Sequence, residues 1–379
     1  MQWYDKHKRE LPWRTESPRD PYKVWVSEIM LQQTRVEAVK SYYANWMEYF
    51  PNLTALAAAE EEDAVRQWQG LGYYSRARNL HTAAREVMEC YGGKVPDTRE
   101  EIRKLKGIGE YTAGAILSMA YGKRETAVDG NVLRVFARIY NIEENILSAK
   151  VKKEITELVA ARQDVLRPGD FNEALMDLGA TVCIPGQPRC EVCPLVAVCQ
   201  AKKVGKENEI PLRVTKKDVP VEPVTVFVVR WKGTEPDCAG KPHTEAESSF
   251  YLLHRRPAKG LLAGMWEFPS CVGEGKKGRE TLSALLAERG IVLTGSVAKR
   301  KPVKKIRHVF SHKIWQMSVY CVEVKGEVSA FPVASVVGTE PGDLSSDWCW
   351  VTAEQVANYN LAGPHNIIGR ELIAIAGKK

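Results

Sequence analysis

Two carboxylates and four cysteines are the residues of this chain best suited to chemistry. Glu28 lies in Tyr22-Lys-Val-Trp-Val-Ser-Glu-Ile-Met-Leu-Gln-Gln-Thr-Arg, where apolar residues recur at helical steps. Gln32 follows one turn on and shares the Glu28 face. A carboxylate set among Trp25, Ile29 and Leu31 loses hydration, which raises its pKa and suits a general acid. The plainer reading is a helical Glu on a partly solvated surface. Asp129 opens Asp129-Gly130-Asn131 at the start of another helical run. There it can be an N-cap accepting from backbone amides. A carboxylate held ionised and oriented in that way is also what stabilising a nearby cation needs.

Two further segments point to a nucleic acid. In Leu105-Lys-Gly-Ile-Gly-Glu-Tyr-Thr-Ala, Gly107 and Gly109 let backbone amides turn outward together at a helix start, where the dipole favours an anion. Such a turn binds phosphate without reading bases. An ordinary helix corner explains a lone Gly-x-Gly better, and it is Asp129, about twenty residues on, that shifts the balance. Gly70-Leu-Gly-Tyr-Tyr-Ser-Arg-Ala-Arg-Asn interleaves glycine, aromatics and cations. That composition suits a loop pressed into a duplex with a side chain wedged between bases.

The cysteines follow as Cys183-x6-Cys190-x2-Cys193-x5-Cys199. Four thiolates hold a structural zinc or an iron–sulfur cluster. Zinc sites usually pair two short knuckles across a longer spacer. Here only one short pair exists, which is awkward for zinc and better suited to wrapping a cluster. On spacing alone zinc and unliganded thiols both stay open. Hydrolysis at carboxylates needs no electron transfer, so the expected role of such a centre is a structural staple.

The elements that position these groups change character along the chain. Residues 22–50, 63–91, 100–121, 131–140 and 151–165 carry helical periodicity, punctuated by Gly and Pro. Residues 201–222 are charged, Pro-containing and aperiodic, and read as a linker. Beyond it Val224-Thr-Val-Phe-Val-Val-Arg-Trp, Ser249-Phe-Tyr-Leu-Leu-His and Ile314-Trp-Gln-Met-Ser-Val-Tyr-Cys read as strands, with helix candidates at 279–289 and after Thr352. The expected architecture is a mostly α domain over 1–200 and an α+β domain over 223–379. At 379 residues the chain is too long for one comfortable core. No apolar run reaches the roughly 18 residues of a membrane span, and the N-terminus lacks the apolar region of a signal peptide. A net charge of +7 leans mildly toward polyanions. Nine cysteines, four clustered and five scattered, fit a reducing compartment rather than a disulfide framework.

Taken together, LPWR, PYKVWVSEIMLQQT, GLGYYSRARNL, GIGEYTAGAI, VDGNV, FNEALMDLGA and the four cysteines resemble the helix-hairpin-helix DNA glycosylases, and closely the adenine DNA glycosylase family. The resemblance runs along nearly the whole chain. It implies a 4Fe–4S cluster on Cys183, Cys190, Cys193 and Cys199. It makes Glu28 the acid that protonates adenine and Asp129 the carboxylate that stabilises or traps the sugar cation, with Tyr111 and Asn131 in support. Arg14 and Glu173 match the adenine pocket. Gln33, Thr34, Leu71, Tyr73, Gly107 and Gly109 match DNA contacts. Relatives that cut the strand carry a lysine where this chain has Tyr111, and Leu133 offers no amine either, so base removal without an efficient lyase step is implied.

The second half looks like the family's Nudix-like domain. Its run from Arg279 to Gly290 lacks the adjacent glutamate pair that holds magnesium, since Ala287 stands beside Glu288. Phe310, Ser311 and His312 match the family's contact with 8-oxoguanine; without the resemblance they would read as a strand end with a core aromatic. The implied substrate is duplex DNA with 8-oxoguanine:adenine or guanine:adenine mispairs, met by a monomer. The implied location is with the DNA: nucleus or mitochondrion in a eukaryote, cytoplasm in a bacterium. A lyase for oxidised pyrimidines and a non-catalytic DNA-binding protein are the alternatives. The stretch around Cys238 has no reading.

Overall fold

Helix starts follow the capping chemistry of the sequence. Asp20 accepts from the Tyr22 amide at 2.8 Å with Pro21 in the first helical position, where its missing N–H costs nothing. Asn52, Thr98, Asp129 and Ser148 cap their helices in the same way. The computed structural model describes all residues except 16–17, 214–218, 234–247, 295–296, 298–299, 311, 325–346 and 377–379, with backbone alone at 373–376. Ser311 and Cys238 therefore lie outside the described residues. The chain divides into two units, Met1–Lys216 and Lys217–Lys379.

The first unit is helical: α1 (Gln2–His7), α2 (Pro21–Leu31), α3 (Val36–Tyr49), α4 (Leu53–Ala58), α5 (Glu61–Gln67), α6 (Ser75–Cys90), α7 (Arg99–Ile102), α8 (Glu110–Met119), α9 (Gly130–Ile139), α10 (Ala149–Arg162), α11 (Pro168–Thr181) and α12 (Gln200–Lys203). Val132, Val135 and Phe136 of α9 bury against Val151 and Ile155 of α10 and Leu175 and Leu178 of α11. Gly114 of α8 is required by a close approach. A Cβ there would lie 1.8 Å from the Thr126 carbonyl oxygen, in the segment that leads to Asp129.

The second unit is a mixed sheet with helices. Its strands are β1 (Val221–Gly233), β2 (Ser248–Arg255), β3 (Trp266–Glu267), β4 (Ser270–Val272), β5 (Lys304–Val309), β6 (Ile314–Glu323) and β7 (Trp348–Thr352); its helices are α13 (Gly275–Ala287) and α14 (Gly363–Ala376). The path is β3-β2-β1-β6-β5, with β4 on β1 and β7 on β2. Only β1 and β6 run parallel among the described pairs. Val224, Val226 and Val228 face one core cluster with Ile368 of α14, while Phe227 and Val229 face another with Leu282 and Leu286 of α13. Burial on both faces is why β1 reads as an unbroken apolar run rather than an alternating one.

Two expectations are corrected. The periodic stretch 22–50 is two helices, because the backbone turns at 32–35 and Gln33 takes φ +58°. The stretch 201–222 is not a free tether through its first half: Ala201 and Ile210 are buried in the helical core, and the Ile146 amide donates to the Leu212 carbonyl at 3.1 Å. The charges that suggested a linker are paired, Lys202 with Glu207 and Lys206 with Glu143, each at 2.6 Å. Within the glycine–aromatic–cation loop, Arg76 points inward. It is buried and donates to the carbonyls of Ile29, Met30 and Gln32 at 2.8, 3.0 and 2.6 Å. Its other nitrogen reaches Thr34 Oγ1 and the carbonyls of Leu71 and Gly72. Burial pushes the guanidinium down to about 10, yet it remains charged at neutral pH.

No described helix is long and apolar enough to cross a membrane. Arg76→Ala should lower stability by roughly 2–4 kcal/mol, because several buried carbonyls lose a charged donor at once. Arg76→Lys should recover only part of that, since an ammonium cannot span both loops. Denaturant midpoints of the purified variants test this; an unchanged midpoint for Arg76→Ala would show that the two loops hold without it.

Candidate active site

Four helices and their flanking residues bring the predicted groups to one cavity of about 450 Å³. α2 supplies Glu28, α8 Tyr111, α11 Glu173 and the first turn of α9 Asn131, with Asp129 as the cap of α9. Arg14 comes from the short turn of 3₁₀ helix at Pro12–Arg14. Gln33 and Thr34 line the same cavity. All six residues assigned to catalysis and the base pocket therefore meet.

Glu28 is buried on an otherwise apolar face. Its Oε2 accepts from the Tyr111 hydroxyl at 2.6 Å; no other described side chain hydrogen-bonds it. Loss of solvent pushes its carboxyl up to about 7, with Tyr111 pulling it back and the Glu173 charge adding to the rise. Tyr111 itself is held well above its ordinary value, chiefly by burial and then by Glu28. It is a donor here and stays protonated.

Asp129 is fixed through both oxygens. Oδ1 accepts from the Val132 amide at 2.8 Å, which is its cap bond, and Oδ2 from Asn131 Nδ2 at 2.7 Å. Burial raises its pKa while those bonds and Arg134 oppose the rise. The Asn131 carbonyl oxygen in turn accepts from Arg134 at 2.8 Å. Gly179 of α11 makes room for this arrangement, since a Cβ there would lie 2.6 Å from that of Asn131. Asn172, fully buried, steadies the approach segment by donating to the Glu125 carbonyl at 2.8 Å and accepting from the Ala127 amide at 3.3 Å.

Behind the cavity stands a network that sequence reading missed. Arg14 pairs with Asp177 through both terminal nitrogens, at 2.8 and 3.1 Å, and lies 3.0 Å from Glu173. Arg9 takes the other side of Asp177 with its side chain and its amide. Glu173 is held by Tyr4 and, through both oxygens, by Arg19. Burial pushes Asp177 up, but Arg14 and Arg9 outweigh it and keep the carboxyl below its usual range. One signal was legible: Glu173 and Asp177 stand one helical turn apart on α11.

The predicted DNA contacts fall into separate groups. Gln33 is exposed, Thr34 half-buried, Leu71 buried and Tyr73 exposed. Arg76 ties the first pair's loop to the second's, and its guanidinium stacks 5.5 Å from the Tyr73 ring. Gly107 has φ +87° with Asn79 packed against it, so it needs to be glycine. Gly109 caps α8 with an ordinary φ of −95° and open space where a Cβ would go. In the second unit Phe310 is half-buried, edge-on to His308 and Trp315, while His312 is exposed. The Arg279–Gly290 run does not gather acids. Arg279 is buried against the Tyr320 hydroxyl at 3.0 Å, and Glu280 and Glu288 are exposed.

The four clustered cysteines are free thiols that line one small cavity. Arg138 Nη1 sits 3.3 Å from Cys183 Sγ, and its carbonyl accepts from the Cys199 thiol at 3.4 Å. Arg138 also donates to the carbonyls of Ile184, Gly186 and Ile210. Among the described residues no three Cys, His, Asp or Glu side chains are arranged to hold a single metal ion.

The family signature of HhH-GPD superfamily base excision DNA repair proteins matches residues 26–161, and that of the NUDIX domain matches 245–370. The solved structure of a thermostable thymine-DNA glycosylase covers 54% of this chain and 93% of its own, at 29% identity and a TM-score of 0.48. The adenine DNA glycosylase of Rattus norvegicus is 38% identical over 94% of this chain and 74% of its own length. That of Homo sapiens is 36% identical over 94% and 70%. With relatives of that name aligned along almost its full length, this chain belongs to the adenine DNA glycosylase family.

Proposed function

We propose that this protein removes adenine lying opposite 8-oxoguanine or guanine in duplex DNA, acting as a monomer and leaving an abasic site. The observation that carries the reading is Glu28. It is a buried carboxyl pushed up to about 7 and hydrogen-bonded to Tyr111, in the same cavity as Asp129.

The glycosidic bond is unreachable inside the stack, so the adenine nucleotide must first be flipped into the cavity. Protonated Glu28 then gives its proton to adenine N7. The bond between the sugar carbon and the base breaks, and its electron pair leaves with adenine as a neutral product. The sugar carries the developing positive charge, and Asp129 faces it as an anion. Glu28, now a carboxylate, takes a proton from the water that adds to the sugar. This is the two-carboxylate logic of glycoside hydrolysis. Arg14 and Glu173 wall the base pocket as a charge pair. No lysine is among the described residues lining the cavity, which supports base removal without Schiff-base chemistry.

Cys183, Cys190, Cys193 and Cys199 would hold a 4Fe–4S cluster. A tetrahedral zinc draws its thiolates to roughly 3.8 Å of one another, whereas a cluster gives each iron one thiolate and spreads them wider. The four thiols line one cavity, the Cys183-x6-Cys190-x2-Cys193-x5-Cys199 spacing favours the cluster, and the Arg138 cation suits thiolate charge. Its contribution would be structural. In the second unit, exposed and separated acids support a recognition role for Phe310, Ser311 and His312 rather than metal-dependent hydrolysis.

Under single turnover on an 8-oxoguanine:adenine duplex, Glu28→Gln and Asp129→Asn should each slow adenine release by about 10²–10⁴; near wild-type rates in a folded variant would sink the assignment. The wild-type rate should be flat at acid pH and fall about tenfold per unit above pH 7, because only protonated Glu28 acts. The same raised carboxyl favours the fold at low pH and loses that favour as pH rises through about 7. Glu28→Gln should therefore raise the melting temperature at pH 8 more than at pH 5. Cluster assignment is tested by metal content. Iron should be present at about four per chain with little zinc, and Cys193→Ser should reduce it.

A further inference from the structure

We infer that the free edge of β5 is a phosphate-binding ridge that grips the DNA strand opposite the excised adenine; this rests on the reading of Phe310, Ser311 and His312 given above. The charge distribution is lopsided. Residues 289–322 hold eight Lys and Arg and no Asp or Glu, so this stretch alone carries +8 while the whole chain carries +7. A run of cations is often just a solvated face, so the structure has to say which of them are free.

β5 ends the sheet and pairs with β6 alone among the described strands. Its residues alternate. Ile306 is buried in the core, while Lys305 and Arg307 are exposed on the other face, opposite Ser318 and Gln316 of β6. Several neighbouring cations are committed inside the unit. Lys304 pairs with Glu371, Lys313 with Glu222, and Arg300 donates to the Cys321 carbonyl at 2.6 Å. Lys301, Lys305 and Arg307 have no acidic partner among the described residues.

Positions two apart on a strand are separated by about 6.7 Å, which matches the axial rise of about two nucleotides of one DNA strand. The ridge thus presents two cations at phosphate spacing. It also has direction, since β5 runs straight into Phe310 and His312. A group holding the backbone a few residues from one reading the base supplies affinity and register, while the base contact supplies discrimination. The rival explanation is protective, because exposed sheet edges commonly carry lysine to block edge-to-edge aggregation. An acidic protein partner is a second rival.

The test uses the full chain and a duplex bearing 8-oxoguanine or guanine opposite a non-cleavable 2′-fluoro-adenosine, with affinity measured across salt. The Lys305→Gln, Arg307→Gln double variant should flatten the slope of log K against log salt by about 1.8, two contacts at 0.9 each. It should weaken both duplexes by the same factor. Lys305→Arg with Arg307→Lys should behave as wild type, which separates charge from packing. His312→Ala should instead change the 8-oxoguanine-to-guanine ratio at unchanged slope. A wild-type slope in the Gln variant overturns the ridge and leaves the edge-protection or protein-partner explanation. A changed slope with an indifferent His312→Ala keeps the ridge and removes the base-reading assignment.

Discussion

The site hangs on the polar stripe of α9. Asp129 and Asn131 stand at its head, and Arg134 and Arg138 follow on the same face at helical spacing. Both arginines are buried. Arg134 reaches from Asn131 to the carbonyls of Gly179 and Cys183. Arg138 grips the cysteine loop through Cys183 Sγ and the carbonyls of Ile184 and Gly186, and donates to the Ile210 carbonyl beyond it. One rigid element therefore joins Asp129 to the loop that would hold the cluster. A buried guanidinium is costly unless its donors are matched, and here the matching atoms come from α11 and from the loop after it. Under the proposed function the cysteines would act on catalysis at one remove, by keeping the partners of α9 in place.

Burial raises the Glu28 pKa because the charges around it are committed elsewhere. Five charged groups crowd the wall behind it, yet they are consumed among themselves: Asp177 by Arg9 and Arg14, Glu173 by Arg14 and Arg19. Had Arg14 turned toward Glu28 it would have kept that carboxyl ionised and useless as an acid at neutral pH. Paired off, it leaves Glu28 with a neutral phenol and apolar neighbours, where burial dominates. Asp129 is buried and pushed up too, but three donors and the head of a helix oppose the rise. Burial pushes both carboxyls of the cavity up, and they differ in how many donors oppose that rise.

What was legible in the sequence tracks what is local. Helix periodicity, the Asp129 cap, the strands of the second unit and the helical face shared by Glu28 and Gln32 could all be read within a dozen residues. The resemblance supplied roles for residues far apart in the chain. Illegible were the long-range charge pairs: nothing near Arg19 or Tyr4 announces Glu173, more than 150 residues away. The buried role of Arg76 was illegible for a related reason, since three of its acceptors lie more than forty residues away on α2 and the turn after it. The linker erred because composition hides two apolar anchors, Ala201 and Ile210, among lysines that are themselves paired.

Arg76 also accounts for a feature of the two loops it joins. Gln33 and Tyr73 both take left-handed backbone, at φ +58° and +49°, a conformation that costs non-glycine residues of order 1–3 kcal/mol. Nothing in an isolated loop would sustain it. Here the guanidinium collects carbonyls from 29 to 32 and from 71 to 72 on one plane of donors, so each loop is held in the shape that lets the other bond. The exposed side chains at these strained positions are two of those that the resemblance matches to DNA contacts. A wedge that enters a duplex must not yield when the base pairs push back. Rigid backbone at its root, set by a buried cation rather than by glycine, meets that requirement, and it places the strain where the DNA would be deformed.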